Sequence, residues 1–201
     1  MKLSIWIVLG LFFLGAAYNS DRQYIKSIKK HRKERRKAFK DPTRSPLREE
    51  AKYFKQLYYF PIDPSYRITA TLEKTQDGQI FRIPTNDPAI QKEYISYGKL
   101  SFELAGKPQV LTVYKDPRLS RIPMYRDQLF LPFRDGSAGR ETYGGGRYLD
   151  LAIMEGPEMT IDFNLAYNPN CAYSNGWSCP LPPAENTLTL AIEAGEKDYT
   201  H

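Results

Sequence analysis

The feature that most constrains the fold is a series of short strand-like segments joined by turns. They cover residues 66–72, 79–84, 94–104, 110–114, 129–133, 147–154, 159–165 and 187–194. Apolar and polar residues alternate along most of them, and Gly- or Pro-containing turns separate several neighbours. No helical pattern is interleaved, so neighbouring strands are expected to pair antiparallel. The pattern predicts an all-β fold, either an antiparallel sandwich or a partly open barrel, with about eight strands.

Residues 1–17 form an apolar N-terminal segment that we interpret as a signal peptide or a membrane anchor. The apolar run of residues 5–14 suits a signal peptide and is short for a bilayer span of about 20 residues. Small residues at Gly15 and Ala17 favour cleavage before Tyr18. Basic residues just after the run favour a cytoplasmic flank instead. We expect export to the cell envelope, with an uncleaved anchor as the alternative.

Residues 18–42 are predicted to form a basic helical stem, and residues 43–201 a single β-rich domain. Residues 1–40 carry 11 Lys/Arg and 2 Asp/Glu, whereas the rest of the chain carries 18 and 21. A nucleic-acid footprint belongs on the folded domain, which is mildly acidic, so we expect no nucleic-acid partner. Most of the stem is polar on every side, which predicts a solvated spacer or a contact with anionic lipid headgroups.

A second short helix is predicted to begin at Ser45-Pro46, where serine can cap the helix and proline suits its first turn. Its apolar residues have a helical spacing, which predicts that the helix docks on the domain. They are Leu47, Ala51, Phe54 and Leu57.

Histidine is nearly missing from the chain, with His31 in the stem and His201 at the C-terminus. Ser-His-Asp triads, Cys-His pairs and histidine-bearing zinc sites all need an imidazole in the domain. The sequence argues against these sites, and we expect no cofactor and no metal centre.

Cys171 and Cys179 are the two cysteines of the chain. In an exported protein they favour a disulfide. In a cytoplasmic protein two reduced, buried thiols are the alternative.

Arg134, Tyr143, Arg147 and Tyr148 lie in a polar stretch that includes three consecutive glycines. Arginine offers a planar fork for a carboxylate or phosphate, and glycine lets the backbone approach a ligand closely. The alternative is a buried ion pair between an arginine and Asp135, Glu141 or Asp162, because buried charges are normally paired.

A second polar group follows in the chain. Alternation along residues 161–165 points Asp162 and Asn164 away from the core, towards the loop that carries Asn168. Glu185 follows a proline-rich segment. We predict that these four residues line the same ligand site as the arginines. Turn and loop hydrogen bonding is the alternative, and paired carboxylates would allow glycoside hydrolysis.

The same stretches resemble the bacterial family called domain of unknown function 1684. The motifs that carry the resemblance are LFLPFRDGSAGRETYGGGRYLDL, IDFNLAYNPNCAY, SCPLPPAENTL and IEAGEK, with SPLREEAKYFKQLYYFPIDPSYRITA upstream. The similarity covers about residues 24–197. It implies a widespread family whose members often carry export signals, and it implies no activity.

The sequence therefore predicts an exported, envelope-associated binding module. Its cleft is expected between loops 134–150 and 162–186, and its ligand is a polar or anionic small molecule or a carbohydrate. The N-terminal segment and the basic stem are predicted to contact the membrane. A hydrolase with paired carboxylates or an oxygen-ligated metal, and a purely structural envelope protein, are the alternatives.

Overall fold

The computed structural model describes residues 4–76 and 78–199, with side chains from Ser20 onward. The predicted signal peptide or anchor at residues 1–17 therefore lies outside the described side chains, and His201 lies outside the described residues. Within the described part of the chain, no helix has both the length and the apolar character needed to cross a bilayer.

The described residues form one antiparallel sheet of seven strands behind a long N-terminal helix. The elements are α1 (Ser4–Lys40), β1 (Arg67–Lys74), β2 (Ile80–Pro84), β3 (Gln91–Leu104), β4 (Lys107–Lys115), β5 (Gln128–Phe133), β6 (Arg147–Ala152) and β7 (Glu158–Asp162). The strand order is β6-β5-β4-β3-β1-β7, with β2 paired to the first part of β3. Since β6 and β7 also approach each other, the sheet is a nearly closed barrel. The predicted all-β class is confirmed.

The core fills the inside of this barrel with residues from alternate strand positions. Side chains without exposed surface include Leu100, Leu111, Leu129, Leu131 and Ile161. Strand β3 bends at a bulge, where its pairing with β4 shifts register between Ser96 and Gly98. A Cβ at Gly98 would lie 2.5 Å from the Glu73 carbonyl oxygen, so the bend brings two backbones closer than any other residue permits.

The predicted eighth strand, residues 187–194, is wrong. Leu188, Ile192 and Ala194 are buried in the core as the alternation suggested, but the segment crosses the barrel irregularly. The backbone of Leu188 and Leu190 bonds to Arg134 and Gly136 just after β5, whereas that of Ile192 and Ala194 bonds to side chains. Arg147 donates to the carbonyl oxygens of Ile192 and Ala194, and the Ile192 N–H donates to Asp135. These two buried charges take the place of a pairing strand.

The prediction of a solvated stem is also wrong, because α1 packs one face on the barrel. Ile28, Arg32 and Phe39 are buried, and they follow the roughly four-residue spacing of a helix face. Arg32 donates to the Phe60 carbonyl oxygen at 2.9 Å and lies over the ring of Tyr59. The long arginine side chains provide the contact that an apolar stripe would normally make.

A buried carboxylate holds the C-terminal half of α1. Arg35 donates to Glu196 at 3.1 Å, and the Tyr173 hydroxyl also donates to Glu196. Burial raises the pKa of the Glu196 carboxyl, although Arg35 and Tyr173 both favour its charge. The same pairing raises the pKa of the Arg35 guanidinium despite its burial. This network joins the helix to the last residues of the chain.

The second short helix docks as predicted. Leu47, Ala51 and Leu57 are buried in a cluster with Phe39 and Tyr173. The helical part is a 3-10 turn over Arg48–Tyr53, whose first residue is left-handed. Arg48 has a φ of 54°, a conformation that ends any regular helix starting at Ser45.

Candidate functional site

The outer face of the sheet carries a row of aromatic rings opposite the core. Phe130 on β5 and Tyr148 on β6 alternate with the core residues of their strands. Tyr94 on β3 shares their face because the bulge between Ser96 and Gly98 reverses the alternation. Tyr94 and Phe130 stack with ring centres 5.2 Å apart, and Phe130 meets Tyr148 edge to face at 4.8 Å. Such contacts stabilise aromatic pairs beyond the area they bury. The row forms the floor of a cleft.

The wall of this cleft comes from the chain after β7. Tyr167 meets Tyr148 edge to face at 5.8 Å and bonds to it backbone to backbone. Trp177 is held by two contacts, since its indole N–H donates to the Pro46 carbonyl oxygen and Arg48 lies 4.5 Å from its ring centre. Two aromatic side chains therefore stand over the floor in fixed positions.

Cys171 and Cys179 form a disulfide, as the export interpretation predicted. It closes the loop that carries Trp177. Asn86 ties the same loop to the barrel, because its amide donates to the Trp177 carbonyl oxygen and accepts from the Cys179 N–H at 2.7 Å. The cleft wall is thus fixed covalently and by hydrogen bonds.

The cleft encloses about 470 Å³ and has charged groups among its lining residues. These groups are Lys92, Asp116 and Asp150. Burial lowers the pKa of the Lys92 ammonium. Burial alone would raise the pKa of Asp116, but its bonds to Arg118 and to backbone N–H groups outweigh burial and lower it. Asp150 accepts a hydrogen bond from the Tyr167 hydroxyl at 3.0 Å.

Arg147, predicted as a ligand-binding residue, has no exposed surface. It pairs with Asp135 at 2.8 Å and donates to three backbone carbonyl oxygens of residues 192–196. Burial lowers its pKa, and Asp135 opposes that shift. The ion-pair alternative left open by the sequence is the arrangement observed.

Asp162 and Asn164 lie together, as predicted, but under α1. The Tyr24 hydroxyl donates to Asp162 at 2.9 Å and accepts from the Asn164 amide at 2.9 Å. Asn164 also exchanges hydrogen bonds with the Asp63 backbone. Burial and the bond to Asp162 raise the pKa of Tyr24. The pair fixes the helix and the 3-10 turn Phe163–Leu165.

The remaining predicted residues are dispersed. Asn168 is buried and donates to the Lys197 carbonyl oxygen at 2.7 Å. Glu185 accepts from the Tyr114 hydroxyl at 2.8 Å, while Arg134 is exposed. Tyr143 packs its ring on Gly145, where a Cβ would lie 2.5 Å from the ring. Of the eight predicted ligand-binding residues, Tyr148 is among those that line the aromatic cleft.

The sequence reasoning missed most of the cleft. Tyr94, Phe130, Tyr167 and Trp177 were not proposed as site residues, nor were Lys92, Asp116 and Asp150. One signal was present, since Phe130 and Tyr148 alternate with core positions on strands that the sequence did predict. Tyr94 gave none, because the bulge in β3 breaks the alternation between it and Leu100. Such a row on the side away from the core needs a cover or a ligand.

Among residues 20–76 and 78–199, no three His, Cys, Asp or Glu side chains come together in a group able to hold a metal ion.

Comparison with known proteins gives a family and a fold. The family model described as "Protein of unknown function (DUF1684)" matches residues 52–197. The chain is similar to an uncharacterized protein of Haloarcula marismortui solved by solution NMR, with 34% identity and a TM-score of 0.68. That match covers 89% of this chain and 96% of the other. No curated protein matches the chain.

Proposed function

The chain belongs to the DUF1684 family, whose description names no activity, and we propose that it is a binding module for a polar, ring-shaped small molecule such as a sugar unit. The observation that supports this proposal most is the aromatic cleft of about 470 Å³. Ligand sites commonly have this size and combine apolar walls with a few fixed polar groups.

The chemistry of the lining suits a sugar ring. The apolar C–H face of such a ring packs on aromatic faces, while its hydroxyls need hydrogen-bond partners. Tyr167 and Trp177 supply the faces, and Asp150 and Lys92 supply acceptor and donor. An anionic ligand is less well supported, because Asp116 and Asp150 are both acidic and the predicted arginines Arg134 and Arg147 lie elsewhere.

A purely structural role fits the cleft poorly. Such a role predicts no cavity of about 300 Å³ or more beside Arg147, the lower limit for ligand sites. The aromatic cleft exceeds that volume, but it contains Tyr148 and lies on the opposite face of β6 from the Arg147 side chain.

A hydrolase is the second candidate, because Asp116 and Asp150 line one cleft. Two carboxylates on either side of a glycosidic bond are the usual machinery of sugar hydrolysis. The lowered pKa of Asp116 suits a base or nucleophile rather than an acid.

We further propose that the module acts in the cell envelope after export. The apolar N-terminal segment and the disulfide support this location, since disulfides persist in oxidising compartments.

The binding proposal is tested by calorimetry of the purified protein with a panel of neutral and acidic oligosaccharides. Trp177→Ala is expected to weaken binding by about 2 kcal/mol, roughly 30-fold, as is usual for a central aromatic contact. Tyr53→Ala is the matched control, because Tyr53 is an aromatic residue with 72% exposure outside the cleft.

Equal affinities of both variants and wild type would contradict the proposal, as would no binding to any saccharide. Release of reducing sugar that is abolished in Asp116→Asn, with binding retained, would establish the hydrolase instead.

A further inference from the structure

The loop between β4 and β5, residues 116–127, exposes large apolar side chains. Met124 is 82% exposed and Ile122 is 45% exposed, with Leu119 and Tyr125 close behind. Two 3-10 turns, Leu119–Arg121 and Pro123–Tyr125, give the loop a fixed shape. Soluble surfaces carry such residues singly, whereas a group of them on one loop marks an interaction surface.

Basic residues are interspersed with these apolar ones. Arg118 is engaged by Asp116, which accepts from its guanidinium at 2.8 Å. Arg121 and Arg126 are exposed on the same loop. Apolar, tyrosine and arginine side chains in one segment are typical of surfaces that lie at a membrane interface.

The loop lies at the same end of the barrel as the N-terminal part of α1. Asp127 accepts from the Ile153 N–H at 2.8 Å, so the loop adjoins the turn between β6 and β7. Met154 in that turn is 50% exposed and lines a groove with Ser20 and Gln23 of α1. From Ser20 the helix continues back to Ser4, through the apolar residues 5–14.

We propose that this end of the barrel docks on the surface of a phospholipid bilayer with anionic headgroups. Ile122 and Met124 enter the boundary between headgroups and acyl chains, and Arg121 and Arg126 bind phosphate groups. Two observations select a bilayer as the occupant. Arg121 and Arg126 are exposed and can bind lipid phosphates, while the exposed carboxylates in this region are Asp127, Glu155 and Glu158. The loop adjoins the turn between β6 and β7, whose Met154 lies beside Ser20 on the helix that continues into the apolar segment. The docking residues Arg121, Ile122, Met124 and Arg126 do not line the aromatic cleft, although Asp116 and Leu119 at the start of the same loop do.

The test uses the full chain mixed with vesicles of phosphatidylglycerol and phosphatidylcholine. Met124→Cys carries an environment-sensitive fluorophore, and Tyr53→Cys carries the same fluorophore as the matched control. Tyr53 is comparably exposed and lies in the 3-10 turn Arg48–Tyr53, beside the cluster that packs on the other end of α1. We expect a blue shift and quenching by headgroup spin-labelled lipid at position 124, and neither at position 53.

Water-like emission at position 124 in vesicle-bound protein would overturn the proposal, since it would show attachment through the N-terminal segment alone. Energy transfer between labelled copies at position 124 without lipid quenching would show a second copy on the patch and overturn it equally.

The charge contribution is tested with Arg121→Gln combined with Arg126→Gln. The ratio of docked to undocked protein reported by the label at position 124 should fall roughly 30-fold on anionic vesicles, about fivefold per arginine. Arg44→Gln, an exposed arginine outside the loop, should leave it unchanged. An equal ratio of docked to undocked protein in all variants would show that Arg121 and Arg126 do not bind the lipid headgroups.

Discussion

At the scale of single residues, the pair of Asp135 and Arg147 explains why the chain concentrates charge near its C-terminal end. A buried ion pair rarely adds net stability, but removing one partner leaves an unpaired charge in the interior. Here Arg147 also satisfies carbonyl oxygens of residues 192–196 that have no strand beside them. Its role is therefore to bind the irregular C-terminal segment to the barrel. The residues next to Arg147 in the sequence do not indicate this role.

Arg147→Met should destabilise the protein by about 3–5 kcal/mol, because it leaves Asp135 charged, buried and unpaired. Urea unfolding followed by circular dichroism measures this change. Arg134→Met is the matched control, and as a surface change it should cost less than about 0.5 kcal/mol. If Arg147→Met lowered the free energy of unfolding only slightly but abolished ligand binding, the original prediction of Arg147 as a ligand-binding residue would be supported instead.

At the scale of elements, α1 shows where sequence patterns stop being informative. Tyr24, Ile28, Arg32, Arg35 and Phe39 do have helical spacing, but arginines interrupt the apolar stripe that indicates docking. In residues 187–194 the alternation predicted more regular structure than the segment has. It placed the right residues in the core, yet alternation says nothing about whether a partner strand exists. The seven observed strands were predictable as elements, but the position of β7 in the sheet was not, because it pairs with β1 instead of with its neighbour β6.

Arg35→Met should loosen the C-terminal half of α1, since the contact with Glu196 is lost. We expect a cost of about 2–3 kcal/mol for the lost charged hydrogen bonds. Hydrogen exchange of helix amides between residues 24 and 39 should become faster. Lys37→Met is the control, because Lys37 makes an exposed pair with Glu34. Unchanged exchange in Arg35→Met would mean that the helix is held elsewhere.

At the scale of the whole molecule, stability depends on how the buried carboxylates titrate. Burial alone would raise the pKa of Asp135, but Arg147 and Ser137 outweigh burial and lower it. A lowered pKa contributes stability above the unfolded value of about 3.9, and this is lost as pH falls through the folded value. Glu196 acts in the opposite sense, because a raised pKa contributes stability at low pH that is lost as the pH rises through the folded value.

The free energy of unfolding should therefore fall steeply below about pH 4 in the wild type. Asp135→Asn should be less stable near neutral pH and should show a shallower decline in acid. Urea midpoints over a pH series measure both slopes. Parallel curves for the two proteins would show that Asp135 does not control acid stability.

The contacts that α1 makes with the barrel along its length have a mechanical consequence. Three residues along the helix form hydrogen bonds with the rest of the domain: Tyr24 with Asp162, Arg32 with the Phe60 carbonyl oxygen, and Arg35 with Glu196. A pull on the N-terminus acts along the helix axis and loads these attachments together in shear, instead of breaking them one after another. The folded domain should therefore resist unfolding when a modest force is applied at its N-terminus.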